Sequence, residues 1–219
     1  MKTKSRILII SLLLLLLCVM IILTFGRAFP SRLEKQTEPE EKVLSLKMSN
    51  DIFYRQTINN CGPYSVMAVI NILTGEKKDP EVLAAETKFR IIKNLTLPQG
   101  VEKLLHDNGV KSKSFILKNK SDKEKIAFLK NQIHEQKPVI LLIKVHHVLH
   151  YVTVIGFDEN GFMLYDSMQE KDAENPRKTI VEKPEYTGNR YHTNQELMGL
   201  WNDGGYKIFF RNFAIVCSK

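Results

Sequence analysis

The chain predicts an α+β fold, on three observations. Helical apolar periodicity fills the first part of the folded region and strand-like runs fill the second, without alternation between them. Two capping boxes, Ser121-Asp122-Lys123-Glu124 and Thr193-Asn194-Gln195-Glu196, announce helix starts. Asp158-Glu159-Asn160-Gly161 between two apolar runs is a hairpin signal.

Residues 1–27 form the first segment. Ile7 to Phe25 carries no charge and follows Lys2, Lys4 and Arg6. About 19 residues rising ~1.5 Å each span roughly 28 Å, the thickness of a bilayer's hydrocarbon core. The run reads as an uncleaved signal anchor, one transmembrane helix, with a cleaved signal peptide and secretion as the alternative. A short basic N-terminal tail that stays in the cytoplasm would put the rest of the chain on the extracytoplasmic side. Basic residues on both flanks (Arg27, Arg32 and Lys35 follow) leave the charge asymmetry nearly even. Residues 28–50 are polar, mixed in charge and broken by Pro39, as a linker is. Residues 51–219 suit one domain.

Within that domain, Pro63 and Gly75 frame a helix over about 62–73, with Val66, Val69, Ile70 and Leu73 on one face. Asp79-Pro80-Glu81 opens a second helix through Ala85, and Gly100 to His106 reads as a third, stopped by Asn108-Gly109. One short strand is expected at Ser114–Leu117, and the first capping box begins a helix through Glu135. Pro138 to Lys144 and Leu149 to Phe157 are then buried-strand runs, and Phe162 to Tyr165 is the return strand of the hairpin. The second capping box opens a helix to Trp201, and Tyr206 to Val216 reads as the last strand.

The net charge is +8, and Lys2, Lys4, Arg6 and Arg27 account for about half of it. The remainder suits proximity to anionic lipid or wall polymer and ordinary solubility; nothing interleaves basic and aromatic residues as a nucleic-acid groove would. Three cysteines, Cys18, Cys61 and Cys217, are too few for a disulfide framework, although a Cys61–Cys217 bridge would silence Cys61.

Chemistry is suggested by Gln56-Thr57-Ile58-Asn59-Asn60-Cys61-Gly62-Pro63. A cysteine at a helix mouth meets free backbone N–H groups and the positive end of the dipole, both of which favour the thiolate. His150 is the candidate base and Asp166 the group that orients it. The two lie near the start of one hairpin strand and just past the end of its partner, a diagonal pairing. Asp158, the rival orienter, is explained as a turn residue that bonds local backbone. Gln56 would supply an amide N–H to an oxyanion, together with the backbone N–H of Cys61; alternatively it is a surface polar residue. His146-His147 beside His150 invites a metal reading, but strand alternation separates His147 from the other two, and no partner carboxylate has a recognisable spacing. No metal and no cofactor is called for.

Gln-x4-Cys-Gly-Pro, the helix after it, His150-Tyr151-Val152-Thr153-Val154-Ile155-Gly156 and Tyr165-Asp166-Ser167 resemble the papain-like cysteine peptidases related to bacteriocin-processing, double-glycine-leader domains. The late helix Asn194–Trp201 is similar to the closing helix of that family, and the resemblance spans about Asp51 to Val216. It implies a papain-like fold and a Cys61, His150, Asp166 triad with Gln56 as oxyanion donor. It also implies a peptide or protein substrate cleaved through an acyl-enzyme. Gln56 lies five residues before Cys61, where papain-like enzymes commonly place it six before. Two other readings stay open: amide hydrolysis or transfer on cell-wall peptide, and a non-catalytic module that binds a peptide.

Overall fold

In the computed structural model the described residues are 8–18, 38–91, 95–205 and 210–219. The chain divides into two units, Met1–Pro30 and Ser31–Lys219. In the first, residues 8–18 are helical, and the rest of the apolar run 7–25 lies outside the described residues. Among the described residues no helix is long and apolar enough to cross a membrane; of the transmembrane helix expected from the sequence they include only the helical residues 8–18.

The second unit opens with β1, Leu44–Ser45, and a short 3₁₀ turn, Asn50–Ile52. Then come α1 (Cys61–Thr74), α2 (Pro80–Glu86), β2 (Arg90–Ile91), β3 (Leu95–Thr96), α3 (Pro98–Asp107), β4 (Lys111–Ile116) and α4 (Asp122–His134). The second half holds β5 (Val139–Val145), β6 (Val148–Phe157), β7 (Gly161–Tyr165), β8 (Arg190–Thr193), α5 (Asn194–Asn202) and β9 (Phe213–Ser218).

Local chemistry sets these ends. Pro63 sits in the first turn of α1, where its missing N–H costs nothing. Gly75, at φ +80°, closes the helix by donating its N–H to the carbonyl of Asn71 at 2.8 Å. Both capping boxes form as the sequence predicts, Ser121 with Glu124 and Thr193 with Glu196.

Seven of these strands make one antiparallel sheet in the order β4-β9-β5-β6-β7-β8, with β1 against the far end of β6, and β2 and β3 form a separate two-stranded sheet. Strand β5 is buried on both faces. Val139, Leu141 and Ile143 join Val152 and Val154 of β6 in a core with Phe128 and Ile133 of α4 and Leu197 and Trp201 of α5. The opposite face meets α1, where the Thr153 hydroxyl donates to the carbonyl of Ser65 at 3.3 Å. Helix α1 is therefore buried along nearly its whole length, and Cys61 at its first position lies where the helix leaves the sheet.

The fold departs from expectation in five places. Residues 28–50 are not all linker: Leu44–Ser45 pairs with Gly156 and Phe157, and Leu46 is only 2% exposed. Glu38, Glu41 and Lys42 come within 4 Å of Lys130, His134 and Glu159, in a strap whose composition looks solvated. The strand expected at Ser114–Leu117 starts at Lys111 and joins the main sheet through β9, since each of its residues finds a backbone partner there. The last strand begins at Phe213 rather than Tyr206; residues 206–209 lie outside the described residues. Strand β8, Arg190–Thr193, was not expected, because its residues do not alternate in hydropathy and only its pairing with β7 makes it a strand. The tight turn between β5 and β6 is made by His146 and His147 at φ +46° and +68°, without the asparagine-glycine pair that signals such turns.

Truncation at the strap has a measurable outcome. Leu46→Ala is expected to lower stability by about 2–4 kcal/mol, the usual cost of a leucine removed from a core. Urea unfolding checks this, and an unchanged midpoint would return residues 44–49 to the linker.

Candidate active site

Cys61, His150 and Asp166 come from three elements, and a single irregularity in the sheet decides whether two of them meet. Strands β6 and β7 pair Phe157 with Phe162 and Gly156 with Met163, then Val154 with Leu164 and Thr153 with Tyr165. Ile155 is the extra residue of a β-bulge. Continued one step, this register puts Asp166 opposite Val152, on the same face as His150. Without the bulge Asp166 would stand opposite Thr153, whose side chain points to the other face. Gly156 follows the bulge because β1 crosses there: a Cβ would lie 2.8 Å from the Met163 sulfur and from the Ser45 Cβ.

The result is a buried pair. His150 Nε2 and Asp166 Oδ1 are 2.7 Å apart, and the His150 side chain is fully buried. Asp166 Oδ1 also accepts the N–H of Met168 at 2.7 Å. With Nε2 on Asp166, His150 Nδ1 is buried and makes no hydrogen bond among the described residues. The Cys61 sulfur and the imidazole each shift the other's ionisation. Cys61 is free and 6% exposed, and Cys217 is also free, so the two are not bridged.

Electrostatics favours the charged pair. Burial alone would push the Cys61 thiol up, but the His150 ring and its charge, with the backbone of Tyr151 and Gly62, bring it below its ordinary value. Burial likewise opposes a charged His150, yet Asp166 and then Cys61 raise it to about 10. Asp166 is held below the usual carboxylate range against its own burial, chiefly by His150, then by the Met168 N–H and Arg190. Cys217 is the contrast: burial, and then the charge of Glu102, raise its thiol well above the ordinary range.

Gln56 stands beside Cys61 although its spacing is short. The turn at residues 58–59, with Asn59 at φ +60°, and the bond from the Asn60 N–H to the Thr57 carbonyl at 3.2 Å take up the chain compactly. The Gln56 N–H donates to the Ser167 carbonyl at 2.9 Å, and the Ser167 hydroxyl donates to Gln56 Oε1 at 2.7 Å. With its oxygen engaged in this way, the amide presents Nε2 as its free donor. Arg90 braces the same turn through the Asn59 carbonyl and Asn60 Oδ1.

A cleft of about 260 Å³ opens over these groups, lined by Gln56, Ile58, Cys61, Val148, His150 and Met168 among others. A second cavity of about 380 Å³ shares Arg55, Gln56 and Thr57 with it and continues to Tyr64, Glu81 and Arg177. Asp158 lies elsewhere, accepting from the N–H groups of Asn160 and Gly161 and from the hydroxyls of Tyr186 and Tyr191. His146 and His147 are exposed turn residues. Sequence reasoning missed Ser167, which orients Gln56, and Asn189, whose side chain bonds the backbone of Asp166. Ser167 adjoins Asp166 and was within reach of a motif reading; Asn189 lies beyond a long loop, and nothing in the sequence connects it to the site.

The model of the Peptidase_C39 like family matches residues 47–199. No curated protein matches the chain. Among solved structures the chain is similar to a C39-like peptidase from Bacillus anthracis, at 15% identity and a TM-score of 0.53, covering 82% of this chain and 98% of that one. It is also similar to the peptidase domain of Streptococcus ComA, a bi-functional ABC transporter involved in a quorum sensing pathway, at 15% identity and a TM-score of 0.46, covering 82% of this chain and 100% of that one. The first likeness shows a shared fold.

Proposed function

We propose, from the premise that the chain belongs to the Peptidase_C39 like family, that it is a cysteine peptidase acting through Cys61, His150, Asp166 and Gln56. The observation that carries this reading is the buried His150–Asp166 pair beside a thiol held below its ordinary pKa. Burial alone would raise the Cys61 thiol, so its lowered value needs the neighbouring imidazolium.

The chemistry follows from these atoms. The Cys61 thiolate adds to the scissile carbonyl carbon, forming a C–S bond and an oxyanion. The Cys61 N–H and Gln56 Nε2 donate to that oxyanion. His150 gives its Nδ1 proton to the departing nitrogen as the C–N bond breaks, leaving a thioester on Cys61 and a free amine. His150, now neutral, takes a proton from water as the water oxygen attacks the thioester carbon. The acid product leaves and the thiolate–imidazolium pair is restored. Asp166 stays ionised throughout and holds Nε2. The cleft presents Ile58, 83% exposed, and Val148, 46% exposed, and these suit apolar side chains of a peptide near the scissile bond.

The proposal includes a place for the chain. The uncharged run Ile7–Phe25 after a basic tail suits a membrane anchor that leaves the peptidase unit on the extracytoplasmic side. Retention of the full-length protein in membranes after alkaline carbonate washing is expected; full release would remove this part.

Incubating the full-length protein separately with a mixed peptide library and with purified cell wall tests the function. New peptide termini that disappear after iodoacetamide treatment are expected from the library. Products from cell wall alone would move the chain to the wall-amidase reading, and products from neither substrate would overturn the peptidase reading.

A further inference from the structure

We infer that Asn189 is the positioning residue that holds Asp166, and through it His150, in line with Cys61. This rests on the cysteine-peptidase reading above.

Asp166 lies one residue beyond β7, where the ladder runs out: the last pair between β7 and β8 is Leu164 with Arg190. Its backbone groups are buried and need partners. Asn189 supplies both from one planar amide. Its Oδ1 accepts the Asp166 N–H at 2.8 Å, and its Nδ2 donates to the Asp166 carbonyl at 2.8 Å. Nδ2 also donates to Thr179 Oγ1 at 2.6 Å, and the Thr179 hydroxyl donates on to the Phe53 carbonyl at 3.2 Å. The direction of every bond in this chain is set, so the amide cannot flip without placing an acceptor against an acceptor. The main chain of Asn189 is anchored too, its N–H donating to the Leu164 carbonyl at 3.0 Å.

Two further observations separate this from ordinary packing. Asn189 is 0% exposed, and an amide at such a site is unfavourable unless its polar atoms are matched, whereas an apolar residue would fill the space without that demand. The residue before it, Gly188, adopts φ +103°, and a Cβ there would fall 2.4 Å from the Leu164 carbonyl oxygen. The chain takes a conformation open only to glycine and by it delivers the amide to Asp166.

The consequence reaches the chemistry because Asp166 Oδ1 serves both His150 Nε2 and the Met168 N–H. A backbone rotation at Asp166 swings that oxygen off the imidazole axis. Loss of the carboxylate from its line weakens the imidazolium and, with it, the thiolate. The ionisable groups around the pair are Cys61 on α1, Tyr165 and Asp166 at the end of β7, and Arg190 and His192 on β8. Replacing Asn189 with a neutral residue alters none of these charges.

The test is the rate of Cys61 alkylation by iodoacetamide against pH, read by mass spectrometry on the full-length protein. For Asn189→Ala the acid limb is expected to be displaced upward by ~1 pH unit, with a rate about 10-fold lower at pH values on that limb. Thr179→Val removes only the hydroxyl that orients the amide, and should move both readouts the same way by a smaller amount. It serves as the deciding variant if Asn189→Ala fails to fold. A merely structural role would reduce the labelled fraction and leave the profile in place; that result overturns the inference. His150→Ala separates the two levels. If it leaves labelling unchanged, the peptidase reading fails. If it slows labelling while the Asn189 and Thr179 variants keep the parent profile, only the role of Asn189 fails.

Discussion

Exchange of His150 for alanine is expected to slow alkylation of Cys61 at pH 7 by about 100-fold. An ordinary thiol, with a pKa of ~8.5, is only about 3% thiolate at that pH. Cys61 starts from a less favourable place, because its burial opposes the charge and only the imidazole brings the pKa below the ordinary value. Removing the ring therefore loses the ionisation that the imidazole supports and uncovers the burial penalty besides. Peptide hydrolysis should fall further, since no acid would remain to protonate the leaving nitrogen. Parent and variant are compared by labelling kinetics, with a small free thiol as reference. Parent labelling no faster than that reference would sink the thiolate–imidazolium pair.

Asp166→Ala carries the second large effect, and it is read as a pH profile. His150 has its folded pKa raised to about 10 from an ordinary value near 6.5, so its contribution to stability is complete below ~6.5 and is lost as pH rises through about 10. Asp166 has its folded pKa lowered, so its contribution is present above ~3.9 and is lost as pH falls through the depressed value. Cys61, also lowered, is thiolate above its folded pKa. The working window thus opens at the depressed value of Cys61 and closes near 10. Without Asp166 only Cys61 opposes the burial of His150, and the alkaline edge should fall by ~3 units, putting pH 7 at or beyond the edge of the window. Activity there is expected to drop by about 100-fold or more. Stability should fall by about 1–3 kcal/mol, the cost of a buried ring nitrogen left unpaired. Rates and urea midpoints at pH 6, 7.5 and 9 check both statements, and an unmoved alkaline edge would remove Asp166 from the site.

What could be read from the residues alone was whatever they specify locally. Pro63 with Gly75, and the two serine- and threonine-led capping boxes, depend on neighbours within a few positions, and all three helices lie where those signals put them. The hairpin at Asn160-Gly161 is of the same kind. Partners supplied by distant chain were not legible. The strand Arg190–Thr193 exists because β7 offers it a ladder, and Leu44–Ser45 because β6 outruns β5 at that end. The site divides in the same way. Cys61 and Gln56 share one short motif, while the face on which His150 and Asp166 meet follows from Ile155, an apolar residue with nothing to mark it as supernumerary.

That one residue imposes an arithmetic on the chain. In a regular hairpin closed by this turn, residues that share a face across the two strands have numbers of opposite parity. The bulge reverses the rule, and His150 and Asp166 are both even. A relative of this chain that lacked the extra residue would have to carry its carboxylate one position earlier or later to reach the imidazole. Deletion of Ile155 alone would keep the count of strands and most of the core while sending histidine and aspartate to opposite sides of the sheet. Insertions and deletions within the paired parts of β6 and β7 are therefore tolerable in pairs and ruinous singly, which gives a criterion for judging any aligned sequence that a simple search for the two residues would pass.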